Sequence, residues 1–409
     1  MSDIRAMSPR ATIWRRAEGK APFLARHLQN LLSHIAFGDI SIVLPNGTCL
    51  RQQAANPGPS AKLVIRRWRT VWRLIVGGEL AFADAFIAGD WWTPNLLAFL
   101  EFGAKNESSL QHSISGTFAQ RLLCRLQHWR NRNTPRGSRR NIAAHYDLGN
   151  DFYALWLDRG MNYSSALFVP GERALEAAQD AKLDRVVELL EISGGERVLE
   201  IGCGWGALLE RLSQNCDVTG ITLSEEQLHF ARQRLGTKDV ASRTEVRLED
   251  YRDVRQTYDR IVSIEMIEAV GESYWPTYFA KLRQALTSNG TVLLQAITIS
   301  DDRFAKYRNQ PDFIQHYIFP GGVLPTVEII RQQAALAGLK LVTHQPFGPS
   351  YAQTLSAWRE RFLASWPAIE QLGFDAPFKR MWEYYLSYCE AGFRNGAIDV
   401  GFYQLKPMH

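Results

Sequence analysis

Cysteine is scarce in this chain, and what there is lies apart. The five cysteines, Cys49, Cys124, Cys203, Cys216 and Cys389, show no C-x-x-C spacing. Scattered and odd in number, they point to neither a zinc site nor a disulfide framework. A reducing, cytoplasmic setting is the expectation. Long apolar runs are missing too: no stretch reaches the roughly 20 residues of a membrane-spanning helix. Nor does the N-terminal region carry an apolar core ahead of a small-residue cleavage site, the mark of a signal peptide. Contact with a membrane is therefore expected from one side only, at the inner face of the cell membrane. Acidic residues vanish between positions 108 and 140, where Arg121, Arg125, Arg130, Arg132, Arg136, Arg139 and Arg140 recur. Such a strip is either a solvated hinge or a surface for anionic headgroups. Nucleic acid phosphates would satisfy the same charges.

What is present bounds the answer further. The chain has 409 residues, 46% of them hydrophobic, and a formal net charge of +5. That length suggests roughly two or three domains, with enough apolar material for a substantial core. Residues 1–107 read as a small α+β unit. A helical apolar spacing over 23–35 has Arg15, Arg16, Lys20 and Arg26 in or near it, which fits an interfacial helix or a surface helix packed on its own domain. Strands are expected at 40–44, 48–52 and 62–66, with Pro45-Asn-Gly47 as a hairpin turn. Helices follow at 68–76, 80–88 and 95–103. Arg66, Arg67, Arg69 and Arg73 serve either lipid contact or a solvated face. Residues 108–140 read as a basic linker, and 141–409 as one domain with the texture of a mostly parallel sheet. Its strands are expected at 197–202, 217–222, 244–248, 260–264, 290–297, 339–344 and 397–405. Helices fill most of the intervals, at 175–190, 227–235, 275–286, 327–337, 351–366 and 378–392. Residues 301–325 are too irregular for another βα unit and read as a cap or lid.

The stretch Glu200-Ile-Gly-Cys-Gly-Trp-Gly206 follows the first of these strands. Gly202, Gly204 and Gly206 allow a sharp turn and close approach to a ligand. Glu200 puts an acceptor at the strand's carboxyl end, where doubly wound sheets bind ligands. A glycine turn alone suits nicotinamide dinucleotides and S-adenosylmethionine (SAM) equally. After the second strand, however, a dinucleotide site wants an acidic residue, and here stand Thr222 and Gln227, which can hydrogen-bond a ribose or an amino-acid moiety. After the third, Asp250 offers a group for an adenine amine and Tyr251 a ring for its face. These three positions favour SAM.

Several separate motifs then agree. His145-Tyr-Asp-Leu-Gly-Asn-Asp-Phe-Tyr153, Met161-Asn-Tyr-Ser-Ser165, the glycine turn, Thr222-Leu-Ser-Glu-Glu-Gln227, Ile264-Glu-Met-Ile-Glu-Ala-Val-Gly271, Tyr317-Ile-Phe-Pro-Gly-Gly322 and Tyr351-Ala-Gln-Thr-Leu-Ser-Ala-Trp358 occur in that order. From about residue 141 to 405 the chain resembles the cyclopropane-fatty-acyl-phospholipid synthases and mycolic acid cyclopropane synthases. The N-terminal unit is similar, more weakly, to the lipid-binding domain of the longer bacterial synthases. The resemblance implies a Rossmann-like SAM-dependent methyltransferase domain with a helical cap, acting on cis double bonds of unsaturated acyl chains in membrane phospholipids. It implies a carbocation, formed when the alkene takes the SAM methyl, that loses a proton to a bound bicarbonate and closes a cyclopropane ring. Such a site must be dry, hold a cation and supply a base.

Residue by residue, the resemblance puts Tyr163 and Ser164 at the cofactor. It puts Glu268, Tyr351, the Ile297 backbone, Ser165 and Gln295 around the anion, and makes Cys389 a catalytic position, though a buried helix cysteine reads equally well there. Tyr146, Tyr163, Tyr317 and Tyr351 are candidates for an aromatic wall, each face worth about 0.5–2 kcal/mol to a cation. Cys203 reads as a packing residue. Three positions depart from the family pattern: Ser165 replaces a common Cys, and Gln295 and Ala269 each replace a common His. Neither serine nor glutamine carries histidine's proton chemistry near neutral pH. A second outcome therefore stands beside ring closure, a C-methyltransferase leaving a methyl-branched or methylene product. A nucleic-acid methyltransferase using the Arg strip is disfavoured because Ile264-Glu-Met-Ile267 is not an amine-methylating Asn-Pro-Pro-Tyr motif, and no nucleic-acid partner is expected. A lipid-binding module with a decayed enzyme half is disfavoured by the intact turn, Gln227 and Glu268. A peripheral membrane association and a homodimer complete the expectations; no metal site is expected.

Overall fold

In the computed structural model, residues 23–114, 148–236 and 241–408 are described. Arg15, Arg16, Lys20, all seven arginines of the 108–140 strip and Tyr146 lie outside them. The described residues within Met1–Cys124 and Phe374–Asn395 form one compact unit, and those within Arg125–Gly373 and Gly396–His409 form another.

The first unit contains α1 (Phe23–Leu32), β1 (Phe37–Val43), β2 (Cys49–Gln53), β3 (Asn56–Ile65), α2 (Arg69–Ile87), β4 (Trp91–Trp92), α3 (Leu96–Lys105) and α4 (Glu107–Ile114). Its sheet has the order β2-β1-β3-β4. The expected hairpin joins β1 to β2, with Asn46 Oδ1 accepting the Thr48 N–H at 3.2 Å. α2 merges the two helices expected at 68–76 and 80–88; Gly78, at φ 60° and ψ −152°, is the non-helical residue between them. Trp91 is fully buried against Phe82, Phe86 and Phe99, with ring centroids 4.5 to 5.2 Å away. Beneath it Asp90 is fully buried and takes Arg69 through two 2.6 Å hydrogen bonds, with Arg67 and Arg73 within 3.6 Å. Three of the four arginines weighed for lipid contact therefore serve an internal carboxylate. Burial raises the Asp90 carboxyl, yet the Arg69 hydrogen bonds and the fields of all three arginines leave it below its usual range.

The helix Ala376–Arg394 also belongs to this unit. Its sequence position suggested the C-terminal domain, but its aromatic face decides otherwise. Tyr384 packs 5.7 Å from Phe86, and Arg380 donates to the Ile87 carbonyl at 2.7 Å. Asp375 caps the helix by accepting the Phe378 N–H.

The second unit is a three-layer α/β body. Its elements are α5 (Asn150–Ala154), α6 (Leu175–Leu189), β5 (Arg197–Ile201), α7 (Ala207–Leu212), β6 (Asp217–Thr222), α8 (Glu225–Gly236), β7 (Thr244–Leu248), β8 (Tyr258–Ile264), α9 (Ile267–Val270), α10 (Trp275–Ala285), β9 (Leu286–Ile299), α11 (Asp301–Asn309), α12 (Val327–Leu336), β10 (Leu339–Pro346), α13 (Gly348–Ala364), α14 (Trp366–Gln371) and β11 (Ile398–Pro407). The sheet order is β10-β11-β9-β8-β5-β6-β7. β7, β6, β5, β8 and β9 run parallel; β11 pairs antiparallel with β9, and the edge strand β10, antiparallel to β11, runs in the direction of the parallel set. The central strands are near-continuous apolar runs because helices cover both faces. Leu199, Ile261 and Val292 are at most 1% exposed and pack with Tyr278, Phe279 and Leu282 of α10. Burying each such side chain contributes about 1.5–3 kcal/mol. Strand order reverses between β5 and β8, so the crevice at their carboxyl ends is where such sheets bind ligands. The expected cap at 301–325 takes the form of α11 and a π-helical turn, Ile314–Ile318. No helix among the described residues is long and apolar enough to cross a membrane.

Candidate active site

Two groups of residues meet at the carboxyl ends of the parallel strands. The first surrounds the glycine turn after β5. Gly202, Gly204 and Gly206 have φ of 81°, 52° and 86°, the left-handed region that glycine enters at no steric cost. At Gly206 space matters as well: a Cβ would lie 3.2 Å from that of Ala231 on α8. Trp205 donates its indole N–H to Asn150 at 2.6 Å and packs at a tilt against Tyr153, centroids 5.2 Å apart, tying the turn to α5. Cys203 is buried, and burial pushes its thiol well up, in keeping with a packing role.

Glu200, at the end of β5, is 3% exposed, and its Oε2 has no hydrogen-bond partner among the described residues. Burial raises its carboxyl to about 8, against the pull of the Lys182 ammonium. After β6, Thr222 donates to Gln227 at 2.9 Å, and Ser224 closes the loop through both. After β7, Asp250 accepts both arms of the Arg252 fork at 2.8 and 2.6 Å. Tyr251 stands edge-on to Tyr278 at 5.4 Å and is flanked by the Arg252 guanidinium.

The second group joins residues that are far apart in sequence. Glu265, just past β8, accepts the Ser165 N–H at 2.8 Å and the Gln295 side-chain amide at 2.7 Å on Oε1, and the Tyr351 hydroxyl at 2.7 Å on Oε2. Ser165, Gln295 and Tyr351 were each expected in one pocket, and one carboxylate gathers all three. Burial raises Glu265 above its usual range, while these donors and the Lys182 ammonium pull it down. Glu268, on α9, accepts the Ile297 N–H at 2.5 Å. Its Oε2 is buried without a partner among the described residues. Burial first, and then the charge of Glu265, lift it to about 8.

Tyr163 and Ser164 sit beside this group on a loop organised by Asp158. That carboxylate accepts from the Gly160 N–H at 2.7 Å and from the backbone and side chain of Asn162 at 2.9 and 2.8 Å. The Tyr163 ring packs against Tyr153, Trp156 and Trp358 at 5.3 to 5.6 Å. Ser164 accepts a hydrogen bond from Lys182, which is 2% exposed. Tyr317 lies on the π-helical turn against Phe313 and His316, with ring centroids 5.1 and 4.6 Å away. Cys389 lies on the helix of the first unit. Three functional candidates escaped the reading of the sequence: Glu265, Lys182 and Asp158. Glu265 stood inside a quoted motif, and its only advance signal was the carboxylate three residues before Glu268.

Comparison with known proteins closes the question of kinship. Residues 133–403 match the family model for mycolic acid cyclopropane synthetase. The chain belongs to this family. It is 38% identical over 404 residues to the tuberculostearic acid methyltransferase of Mycobacterium tuberculosis, covering 94% of this chain and 91% of that one. It is 37% identical over 337 residues to the cyclopropane-fatty-acyl-phospholipid synthase of Escherichia coli strain K12, covering 81% and 84%. A solved mycolic acid cyclopropane synthase, complexed with SAH and CTAB, aligns at a TM-score of 0.62 and 31% identity over 65% of this chain and 97% of that one. This cyclopropane synthetase family member is accordingly a SAM-dependent methyltransferase. The residues present fit the cofactor: the orphaned Glu200 oxygen is an acceptor awaiting a donor such as a ribose hydroxyl, at the strand end where the glycine turn opens.

Proposed function

We propose that this enzyme adds the SAM methyl carbon to the cis double bond of unsaturated acyl chains in membrane phospholipids and closes a cyclopropane ring. The observation that carries this reading is the cluster of Glu265 and Glu268 beside the aromatic wall of Tyr163, Tyr351 and Trp358. An olefin offers no heteroatom to deprotonate before transfer, so the site needs a cation-tolerant wall and a base for afterwards. Aromatic faces and a buried carboxylate are those two things. SAM, when bound, supplies an electrophilic methyl group. Glu200 would accept the ribose hydroxyls, Thr222 and Gln227 the remaining polar groups, and Tyr251 would lie against the adenine. Tyr163 and Ser164 would border the methyl end. Trp72 and Trp92 of the first unit are 57% and 39% exposed, which supports peripheral contact with a lipid surface.

A second reading keeps the transfer and changes the ending: a hydride shift, then proton loss, leaves a methylene branch. Gln295, bound to Glu265 where many relatives carry His, favours it, as does the likeness to a protein named tuberculostearic acid methyltransferase. Purified enzyme, SAM and vesicles of a monounsaturated phospholipid decide between them. Either reading expects the acyl chain to gain the mass of one CH2. High-field ring protons in the NMR spectrum establish the first, and vinylidene protons the second. Unchanged lipid overturns both.

The cofactor assignment has its own test. Glu200→Gln should weaken SAM binding about tenfold in calorimetry, since a charge-assisted hydrogen bond becomes a neutral one. Because the free carboxyl sits near 8, binding at pH 7 should also release a proton. Its signature is a heat that varies with buffer ionisation enthalpy in wild type and not in the variant. Unchanged affinity in Glu200→Gln would remove Glu200 from the cofactor site.

A further inference from the structure

We propose that Glu265 is the proton acceptor of this reaction, a carboxylate built into the chain at the place where a free bicarbonate was expected. The inference deepens the function just proposed and rests on it. Three donors from three separate elements converge on Glu265: the Ser165 N–H from the loop ahead of α6, the Gln295 amide from β9 and the Tyr351 hydroxyl from α13. Donors gathered from across 186 residues of chain, from Ser165 to Tyr351, make an anion site. Here the anion is the protein's own side chain, and both its oxygens are engaged.

The backbone gives an independent sign. Glu265 has φ of +48°, in the region that favours glycine. Strain of that kind persists where the surroundings over-determine it, and it clusters at functional sites. A glycine would sit there without strain, so the side chain is what the conformation serves. The backbone N–H of Glu265 is itself fixed on the Gln295 carbonyl at 2.7 Å.

Glu268 completes a division of labour. Two adjacent carboxyls resist double ionisation. Glu265 has the donors that hold an anion; Glu268 has a single backbone donor and a bare buried oxygen, and it carries the proton at neutral pH. In the step itself the methyl C–H of the cationic acyl chain breaks. Its electron pair closes the ring, its proton bonds to a Glu265 oxygen, and the acyl chain ends neutral. If a hydride shift comes first, the same pair forms the methylene double bond. Glu265 then gives its proton to water.

The test has a binding arm and a turnover arm. In the first, isotopically labelled bicarbonate is titrated against the folded protein and followed by NMR. Wild type should show no saturable binding. Glu265→Gly, which relaxes the backbone and bares three donors, should bind it. Saturable binding to wild type overturns the proposal. In the second arm, turnover is measured in carbonate-depleted buffer. Wild type should keep its rate to within about twofold, whereas Glu265→Gly and Glu265→Gln should each lose about 100-fold or more, the usual worth of a general base. Added bicarbonate should restore the glycine variant and leave the glutamine variant, whose amide fills the space, inactive. A wild-type rate that depends on bicarbonate, or a Glu265→Gly rate equal to wild type, overturns the assignment. Should the enzyme act on no olefinic lipid, the substrate reading fails, and the binding arm still decides the place of Glu265.

Discussion

A Trp358→Ala protein is expected to be about 3–5 kcal/mol less stable than wild type, the usual cost of emptying a buried indole site. It should lose most of its turnover as well. Trp358 is fully buried on α13, and three rings of the candidate site lean on it: Trp156 edge-on at 5.7 Å, Tyr163 at 5.3 Å and Tyr351 at 6.0 Å. Its own indole N–H finds no acceptor among the described residues, so it holds its place by packing. Removing it frees Tyr163 on one side. On the other it frees the Tyr351 ring, whose hydroxyl binds Glu265 at 2.7 Å. Stability and chemistry should therefore fail together, and Trp358→Phe separates them. Phe keeps a face and most of the volume, so it should cost less stability while leaving Tyr351 partly propped. Denaturant midpoints give the first quantity, and turnover well below the transition gives the second. A loss below about 1 kcal/mol for the alanine variant would mean that the wall is not a packed unit.

That wall also marks how far the sequence could be read. The glycine turn, the parallel strands and the loop that carries Thr222 and Gln227 are local patterns of a few residues. Their positions in the structure follow from periodicity and turn chemistry. The meeting of Ser165, Gln295 and Tyr351 is of another kind. Motif resemblance grouped them, but nothing local says which atom they face. Glu265 was the missing centre because its distinguishing features are a positive φ and three tertiary hydrogen bonds. A left-handed backbone at a glutamate has no sequence signal, since propensity argues against it. Lys182 was hidden for a related reason. On an amphipathic helix a lysine reads as solvated face, and here it points inward to Ser164. The helix Ala376–Arg394 shows the same limit at the scale of domains. A helix at 378–392 was legible, while its packing with the first unit depends on partners nearly 300 residues earlier, such as the Ile87 carbonyl that Arg380 binds.

Lys182→Met is expected to lower kcat/KM at pH 7 on the order of 100-fold without loss of stability. The stability half follows from the cost of burying charge. The Lys182 ammonium is 2% exposed, it donates to the neutral Ser164 hydroxyl at 3.0 Å, and burial lowers its pKa. Glu200 and Glu265, the carboxyls its field pulls down, take up protons once it is gone, so they leave no uncompensated buried charge and the apolar replacement of like volume is close to neutral in stability. The kinetic half follows from what Lys182 does to its neighbours. Its field pulls down both Glu200 and Glu265 against the desolvation that raises them. Without it both carboxyls rise further, and each pKa unit is tenfold in the ionised fraction. Weaker cofactor binding through Glu200 and weaker proton acceptance through Glu265, at about tenfold each, multiply to the stated loss. The sign is fixed: raised carboxyls ionise at higher pH, so the variant's activity should recover as pH increases and its profile should shift upward relative to wild type. Glu268 and Tyr351, which also face Glu265, leave that sign unchanged, because a neutral Glu268 and a hydroxyl donor add no positive charge to replace the one removed. A variant that loses activity with its pH profile unmoved would make Lys182 a packing residue, and a variant that loses stability would place its charge in the fold rather than in the chemistry.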